Sequence, residues 1–290
     1  MRKIIIPLVF LLIPALTFGQ RWKRERLEAF AGVGTNHFMG DLGGGSQDAA
    51  HFFGVRDMDW EYTRPTIQVG VRYRILQELS VKPVFTYGYL RGDDASSGSE
   101  GRRKRNLSFR SHLLELGTQV EYYFIKEREM AKYTFSSMRA MNRLSAFGFI
   151  GGGGFYFNPQ AKLDGEWHDL QPLKTEGQDS PYSKFAGYLS MGLGAKFRLQ
   201  QRISIGLEIS NRYTTTDYLD DAHDAYFDYT DGSIADQLAD RHIDEDGYPL
   251  PDYETGTPMR GDKEYNDAYI LTMITGYYRF KYSMRSLPKF

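Results

Sequence analysis

Apolar and polar residues alternate along this chain in segments about ten residues long. Residues 67–75 show the pattern plainly: Ile67, Val69, Val71, Tyr73 and Ile75 are spaced by two, with Gln68, Gly70, Arg72 and Arg74 between them. In an extended strand that spacing gathers the apolar side chains on one face and the polar ones on the other. The beat recurs where Phe185, Leu189, Met191, Leu193, Phe197 and Leu199 oppose Lys184, Tyr188, Ser190, Lys196 and Arg198. It recurs again where Ile203, Ile205, Leu207 and Ile209 oppose Ser204, Glu208, Ser210 and Arg212. Read this way, the chain holds eight strands, over 25–35, 65–75, 79–90, 107–124, 144–157, 184–199, 202–216 and 268–282. A secreted β-sandwich shares several of these traits. If the apolar face meets lipid and the polar face an enclosed lumen, the fold is all-β: an eight-stranded antiparallel transmembrane outer-membrane β-barrel with long extracellular loops.

The connectors support the barrel. Tight turns at Gln77-Glu78 and Gln200-Gln201 alternate with long segments at 36–64, 91–106, 158–183 and 217–267. Barrels of this kind keep short turns in the periplasm and long loops outside, and an even strand count places both termini in the periplasm. The expected location is therefore the cell outer membrane. One connector breaks the rule. Residues 125–143 fall on the periplasmic side, yet they are long and basic, with Lys126, Arg128, Lys132, Arg139 and Arg143. These five are the candidate docking residues for a periplasmic partner.

Export is written at the start. Arg2 and Lys3 precede an apolar run from Ile4 to Leu16, and Thr17-Phe18-Gly19 supplies small residues before Gln20. Residues 1–19 read as a signal peptide, leaving 20–290 as a single barrel domain. The chain has no cysteine, which excludes disulfides, thiolate metal sites, a cysteine nucleophile and a lipid anchor at Gln20. After the signal no run of eighteen apolar residues occurs, so no transmembrane helix is expected.

Charge divides the chain unevenly. Residues 217–267 carry 16 acidic against 3 basic side chains, a net of −13, while the whole chain is −1. A segment this acidic repels itself and is expected to be a solvated surface loop outside the barrel wall.

Eight strands enclose an interior just wide enough for side chains to fill. Arg72, Arg74, Lys82, Glu115, Glu121, Glu208 and Arg212 are candidates to point inward. Such charges must be paired in a low-dielectric interior. Among them Arg72, Arg74, Glu115, Glu121, Glu208 and Arg212 are expected to form structural ion pairs; a narrow selective channel is the alternative. Aromatic groups at Tyr87 and Tyr89, 122–124, 155–157 and 277–282 sit near strand ends, where girdles at the membrane interfaces are expected.

Motifs that carry chemistry are missing. There is no phosphate loop and no His-Glu-x-x-His, and Ser97-Gly98-Ser99-Glu100-Gly101 lacks the first glycine of a nucleophile elbow. Gly151 to Gly154 fall inside a strand, where small residues allow close packing. Ser111 and His112 are strand neighbours, so they point to opposite faces and cannot act as a pair. The reading is a non-enzymatic protein with no catalytic, cofactor-binding or metal residues and no cofactor. Asp244-Glu245-Asp246-Gly247 resembles part of a calcium loop, but His242 and Tyr253 occupy its two key carboxylate positions. The basic run Arg102 to Arg105 suits contact with lipid phosphates or with the acidic loop, and not with nucleic acid.

Several strings at the strand–loop borders resemble one family. They are Gly34-Thr35-Asn36-His37-Phe38-Met39-Gly40-Asp41-Leu42, Arg105-Asn106-Leu107-Ser108-Phe109-Arg110-Ser111, Phe155-Tyr156-Phe157-Asn158-Pro159, Asp169-Leu170-Gln171-Pro172-Leu173, Thr175-Glu176-Gly177-Gln178 and Thr216-Asp217-Tyr218-Leu219-Asp220-Asp221. With them the chain resembles the PorG-like outer-membrane barrels of the type IX secretion system, from about residue 28 to the last strand. The resemblance implies a role in protein secretion, with a periplasmic ring lipoprotein and its partner subunit as partners alongside outer-membrane lipid. It implies no catalytic residue. The alternatives left open are a surface-exposed OmpA-like barrel with a structural, ligand-binding or adhesion role, and a small porin.

Overall fold

The computed structural model describes residues 25–43, 62–127, 143–227, 229, 231–243 and 260–281. Nine strands lie in these residues: β1 (Leu27–Met39), β2 (Arg64–Arg74), β3 (Leu79–Asp93), β4 (Ser108–Ile125), β5 (Leu144–Leu163), β6 (Glu166–Asp169), β7 (Phe185–Arg198), β8 (Ile203–Thr214) and β9 (Ala268–Arg279). Eight of them close a barrel in the order β1-β2-β3-β4-β5-β7-β8-β9, every neighbour antiparallel. The seam between first and last strands is a full ladder, running from Glu28 opposite Arg279 to Met39 opposite Ala268. No sheet edge is left along the barrel wall.

The ninth strand goes beyond the eight expected. β5 continues past residue 157 to Leu163, turns through Asp164 and Gly165, and returns as β6 with Trp167 opposite Lys162. Both turn residues have positive φ, 50° and 90°. That is the geometry a two-residue hairpin demands and that an Asp-Gly pair supplies. Among the described residues two short α-helices stand in the loops, α1 (Glu100–Arg105) between β3 and β4 and α2 (Ile234–Ala239) between β8 and β9.

Alternation places the side chains. Ile67, Val69, Val71, Leu114, Leu116, Val120, Leu189, Leu193, Ile205, Leu207 and Ile274 all face outward and are exposed, Leu116 by 68% and Leu193 by 66%. Glu28, Arg72, Lys82, Glu115, Glu121, Lys196, Glu208 and Arg212 face inward and are buried. A closed sheet that is greasy outside and charged inside is inverted relative to a water-soluble protein. Hydrocarbon is the solvent that suits it, so this is a transmembrane β-barrel of the outer-membrane type.

The lipid-facing reading makes a direct prediction. Leu116→Arg, near the middle of the apolar run on β4, should destabilise the barrel by about 2–4 kcal/mol in bilayers. The same change at Ile234, exposed on the loop helix α2, should cost no more than about 0.5 kcal/mol. Urea unfolding in lipid vesicles measures both. A cost below about 0.5 kcal/mol at Leu116 would mean that this side chain does not meet hydrocarbon.

Not every aromatic joins a girdle. Tyr122, Phe124, Tyr278 and Phe280 face outward, but Tyr123, Phe155, Phe157 and Tyr277 are buried inside. Period two forces this split, because adjacent residues of a strand cannot share a face. Tyr282 lies outside the described residues, as do the signal peptide, Arg128, Lys132 and Arg139. The acidic segment also differs from its expected form. Its wall-proximal parts are packed rather than solvated: Leu219, Ala222 and Leu238 join the main apolar cluster, and Asp220 and Asp221 are buried. Apolar residues spaced between the acids anchor the segment to the barrel mouth.

Candidate functional site: a filled lumen and a clasped mouth

The lower lumen, towards the end that carries the termini, is filled by ions. Arg72 of β2 lies 2.6 Å through Nε from Glu121 of β4 and donates through Nη1 to Glu28 of β1 at 3.2 Å. Its guanidinium also stacks over the Tyr277 ring at 4.4 Å. Glu28 further accepts from Lys196 of β7 and Arg279 of β9, both at 2.9 Å, with Arg74 at 3.9 Å. Lys82 of β3 meets Glu208 of β8 at 2.5 Å, and the Tyr277 hydroxyl donates to the same carboxylate. Arg72, Arg74, Lys82, Lys196 and Arg279 thus join with the carboxylates of Glu28, Glu121 and Glu208 to cross-link every wall strand except β5. At the mouth Arg279 reaches Glu127 at 2.5 Å, just beyond β4.

Higher up, Arg212 and Glu115 form a separate pair at 3.5 Å, and the Tyr269 hydroxyl donates to Glu115 at 2.7 Å. The six interior residues expected from the sequence therefore divide into two groups, Arg72, Arg74, Glu121 and Glu208 in the lower network and Glu115 and Arg212 above. Glu28 is missing from that set, although Arg72, Lys196 and Arg279 all donate to it. Its signal in the sequence is its place two residues before Phe30, on the inward side of β1.

Above the ions the lumen turns apolar. Leu90, Leu113, Phe155, Phe157, Tyr188, Tyr269, Leu271 and Met273 form one buried cluster with loop residues Leu42, Leu107, Leu170, Leu219 and Leu238. The loops do not merely cover the barrel; they complete its core. Two fillings in series, one ionic and one apolar, stand where a pore would run.

Two arginines clasp this cap. Arg105, the last residue of α1, grips Asp94 through Nε at 2.6 Å and Nη2 at 2.9 Å. It also donates to the carbonyls of Asp41 at 2.6 Å and Arg260 at 2.7 Å. Arg260 reaches Asp221 at 3.2 Å and Glu176 at 3.3 Å, and Asp221 accepts from Tyr182 at 2.7 Å and Thr175 at 2.5 Å. Among the described residues, Arg105 of the basic run meets the acidic segment through the Arg260 carbonyl, and the Ile243 amide of that segment donates to the Lys104 carbonyl at 2.9 Å. Arg102 and Arg103 likewise donate to the carbonyls of Gly43 and Ser97.

Among the described residues no arginine stands within salt-bridge distance of Asp217, Asp220 or Asp267, though His223 lies 2.7 Å from Asp217. Burial, and then the neighbouring carboxylates, push Asp217 up to about 9 and Asp220 up to about 8. Asp267 is raised well above the usual range for the same reasons. An unfolded aspartate ionises near pH 4. The folded cap thus holds protons that the unfolded chain releases, so this contribution is full below about pH 4 and is lost as pH rises through 8 to 9. In buffer free of divalent salts, trypsin cleavage after Lys263 should be slow at pH 6 and faster at pH 9.5, relative to a folded control protein. A flat profile would contradict these shifts.

The remaining candidates are kept apart or are partnered. His112 faces outward and sits 3.0 Å from the Tyr87 hydroxyl, whereas Ser111 is buried and accepts from the Asn158 amide at 3.0 Å. Lys126 pairs with Glu78, and Arg143 is exposed at the start of β5. His242 lies 2.5 Å from Asp240. Asp244 to Gly247 and Tyr253 lie outside the described residues. Among the described residues no three acids or imidazoles stand at the spacing of direct metal ligands.

The chain belongs to the family described as a domain of unknown function, DUF6089. That family's model matches residues 8–235, from within the apolar run near the start through β8 and into the acidic loop. No curated protein matches the chain. Solved structures similar to it include Ail, the attachment invasion locus protein of Yersinia pestis, at 11% identity and TM-score 0.38, covering 88% of this chain and 99% of that one. Neisserial surface protein A is similar at 8% identity and TM-score 0.39, covering 88% and 97%. The outer membrane protein OprG of Pseudomonas aeruginosa is similar at 10% identity and TM-score 0.37, covering 89% and 98%. The assignment of this DUF6089 chain as a barrel rests on its own closed seam and apolar exterior.

Proposed function

We propose that this barrel is a non-enzymatic outer-membrane component of the type IX protein secretion machinery, set with its cap outside and its termini in the periplasm. One observation carries the reading. The six strings that resemble PorG-like barrels come from distant parts of the chain, yet they meet in a single cap. Asp41, Arg105, Leu107, Phe157, Leu170, Glu176 and Asp221 are joined there by the contacts and apolar cluster just described. A resemblance scattered along the sequence is thereby concentrated in one three-dimensional unit. A filled lumen also suits a scaffold better than a channel.

The partner side in this proposal is the opposite mouth. β1 begins and β9 ends there, and the 125–143 connector leaves from it at Glu127. Its basic residues would meet the periplasmic ring lipoprotein and its partner subunit. Replacing residues 129–141 by a short Gly-Ser linker keeps Lys126, Glu127 and Arg143 in place. The shortened barrel is expected to assemble in the outer membrane, fail to co-purify with the ring subunits and lose secretion. Assembly with normal secretion and normal co-purification would overturn the docking reading. If the full chain itself purifies away from intact rings, the secretion reading falls with it.

A further inference from the structure

We infer that the outer rim of the wall holds a phosphate of an outer-leaflet lipid between Arg91 and Arg110, with Arg241 beside them. The inference rests on the cap facing outward, as proposed above, and not on the secretion role. β3 and β4 place the two arginines directly opposite each other. Alternation puts both on the outer face of the barrel, in line with Tyr87, Tyr89 and His112. Opposed residues of antiparallel neighbours have Cβ atoms about 5 Å apart, and like charges so placed are destabilising. A shared anion removes that cost.

Rings hold both guanidiniums in place. Arg91 lies over the Tyr62 ring, 5.1 Å from its centroid, and Arg110 lies over Trp167 of the β6 hairpin at 3.6 Å. A stacked guanidinium keeps its N–H edge available to an anion. Arg110 spends Nε on Gln160 at 2.9 Å, and among the described residues its two terminal nitrogens donate to no acceptor.

The acids of the rim are committed or shared. Asp169 accepts from Gln160 at 2.6 Å and from Asn158 at 2.9 Å. Asp93 lies 3.5 Å from Arg91 and accepts from the Ala95 amide at 3.1 Å. Burial pulls the Arg241 guanidinium down, and the same Asp93 is the acid that opposes this. One carboxylate thus serves two arginines. An independent sign comes from Arg241 itself: its Nη1 is fully buried and has no hydrogen-bond partner among the described residues. A buried donor left without an acceptor is costly, and an anion drawn in at this rim supplies one.

Height along the wall selects the occupant. One residue pair nearer the membrane, Tyr89 stands opposite His112 with ring centroids 5.1 Å apart, and the Tyr87 hydroxyl is 3.0 Å from His112. Below these the outer face is apolar through Phe85, Leu114 and Leu116. Rings with polar tips mark the boundary between acyl chains and head groups. A cation pair set just beyond that boundary stands at the level of lipid phosphates, which arginine forks grip through paired N–H donors. A lipid seated there also lays its chains along the apolar band, whereas a soluble acidic partner gains the charges alone.

The test adds diphosphoryl lipid A to the full barrel purified in detergent and counts retained lipid by native mass spectrometry. Saturable retention is expected, and lipid A stripped of its phosphates should be held about tenfold more weakly or worse. Arg91→Gln/Arg110→Gln should weaken retention of the phosphorylated form by about tenfold, with the heat-dependent gel mobility of the barrel kept. Lys174→Gln/Lys263→Gln, which removes two other surface cations of the cap, should leave it unchanged. Equal retention with and without phosphates overturns the inference, as does retention that survives Arg91→Gln/Arg110→Gln. Equal loss in both double variants would reveal diffuse attraction and overturns it too. Inorganic phosphate or poly-glutamate that displaces lipid A at matched concentration would point to a soluble anion or an acidic protein, and the lipid would fall. Protease added to intact cells locates the cap separately and is expected to cut it. A cap cut only in broken cells overturns the outer-leaflet occupant together with the proposed orientation, whereas failed lipid binding alone leaves the secretion reading standing.

Discussion

Arg72→Met is expected to cost the barrel about 3–5 kcal/mol of folding stability, measured by urea unfolding in lipid vesicles. The side chain is buried at the centre of the lower network, between Glu121 and Glu28. Removing its charge leaves Glu121 with no cation at hydrogen-bonding distance and weakens the balance around Glu28. An uncompensated buried charge is far more damaging than the loss of an exposed pair, for which about 0–1 kcal/mol is usual. The double variant Arg72→Met/Glu121→Gln removes both signs together, so it should recover a large part of the loss. Such recovery separates charge imbalance from lost packing against Tyr277. If the single variant loses less than about 1 kcal/mol, water reaches this network and the lower lumen is not a dry seal.

Phe157→Ala should cost about 3–5 kcal/mol, and the damage should fall on the cap rather than the wall. Phe157 is fully buried where β5 leaves the membrane, stacked parallel to Tyr182 with ring centroids 6.3 Å apart and beside Phe155 at 5.6 Å. Its ring links loop residues to strand residues within one cluster. Truncation leaves a cavity that stiff strands cannot close, while the loops can move away. Limited proteolysis should therefore show faster cleavage in the cap, with the heat-dependent gel mobility of the barrel preserved. Equal loss of both would mean that cap and wall unfold as one unit.

The wall of this protein is legible in its sequence because lipid enforces strict alternation. β2, β4, β7 and β8 have outward residues that are apolar almost without exception, and their observed bounds fall within a residue or two of the expected ones. β5 is harder to bound, since Phe147, Phe149, Phe155 and Phe157 point inward and blur the contrast between faces. Asp164-Gly165 signals the extra hairpin, but β6 is too short and too polar to show a greasy face of its own. The cap is not legible at all. Its joints link Asp41 with Asp262, Leu42 with Asp220 and Arg105 with Arg260, and residues so far apart meet only once the barrel has closed. Net charge also misleads, because it averages over a segment in which Leu219, Ala222 and Leu238 dock between the acids.

The ladder joining β1 to β9 ties the wall to the order of synthesis. β1 has only one of its two permanent neighbours, β2, until β9 has been made. A polypeptide that stops short of β9 keeps two raw flanks, each able to recruit another strand, and cannot repair itself by folding what it already has. Closure of the wall is therefore a single late event, which waits for β9 to reach β1.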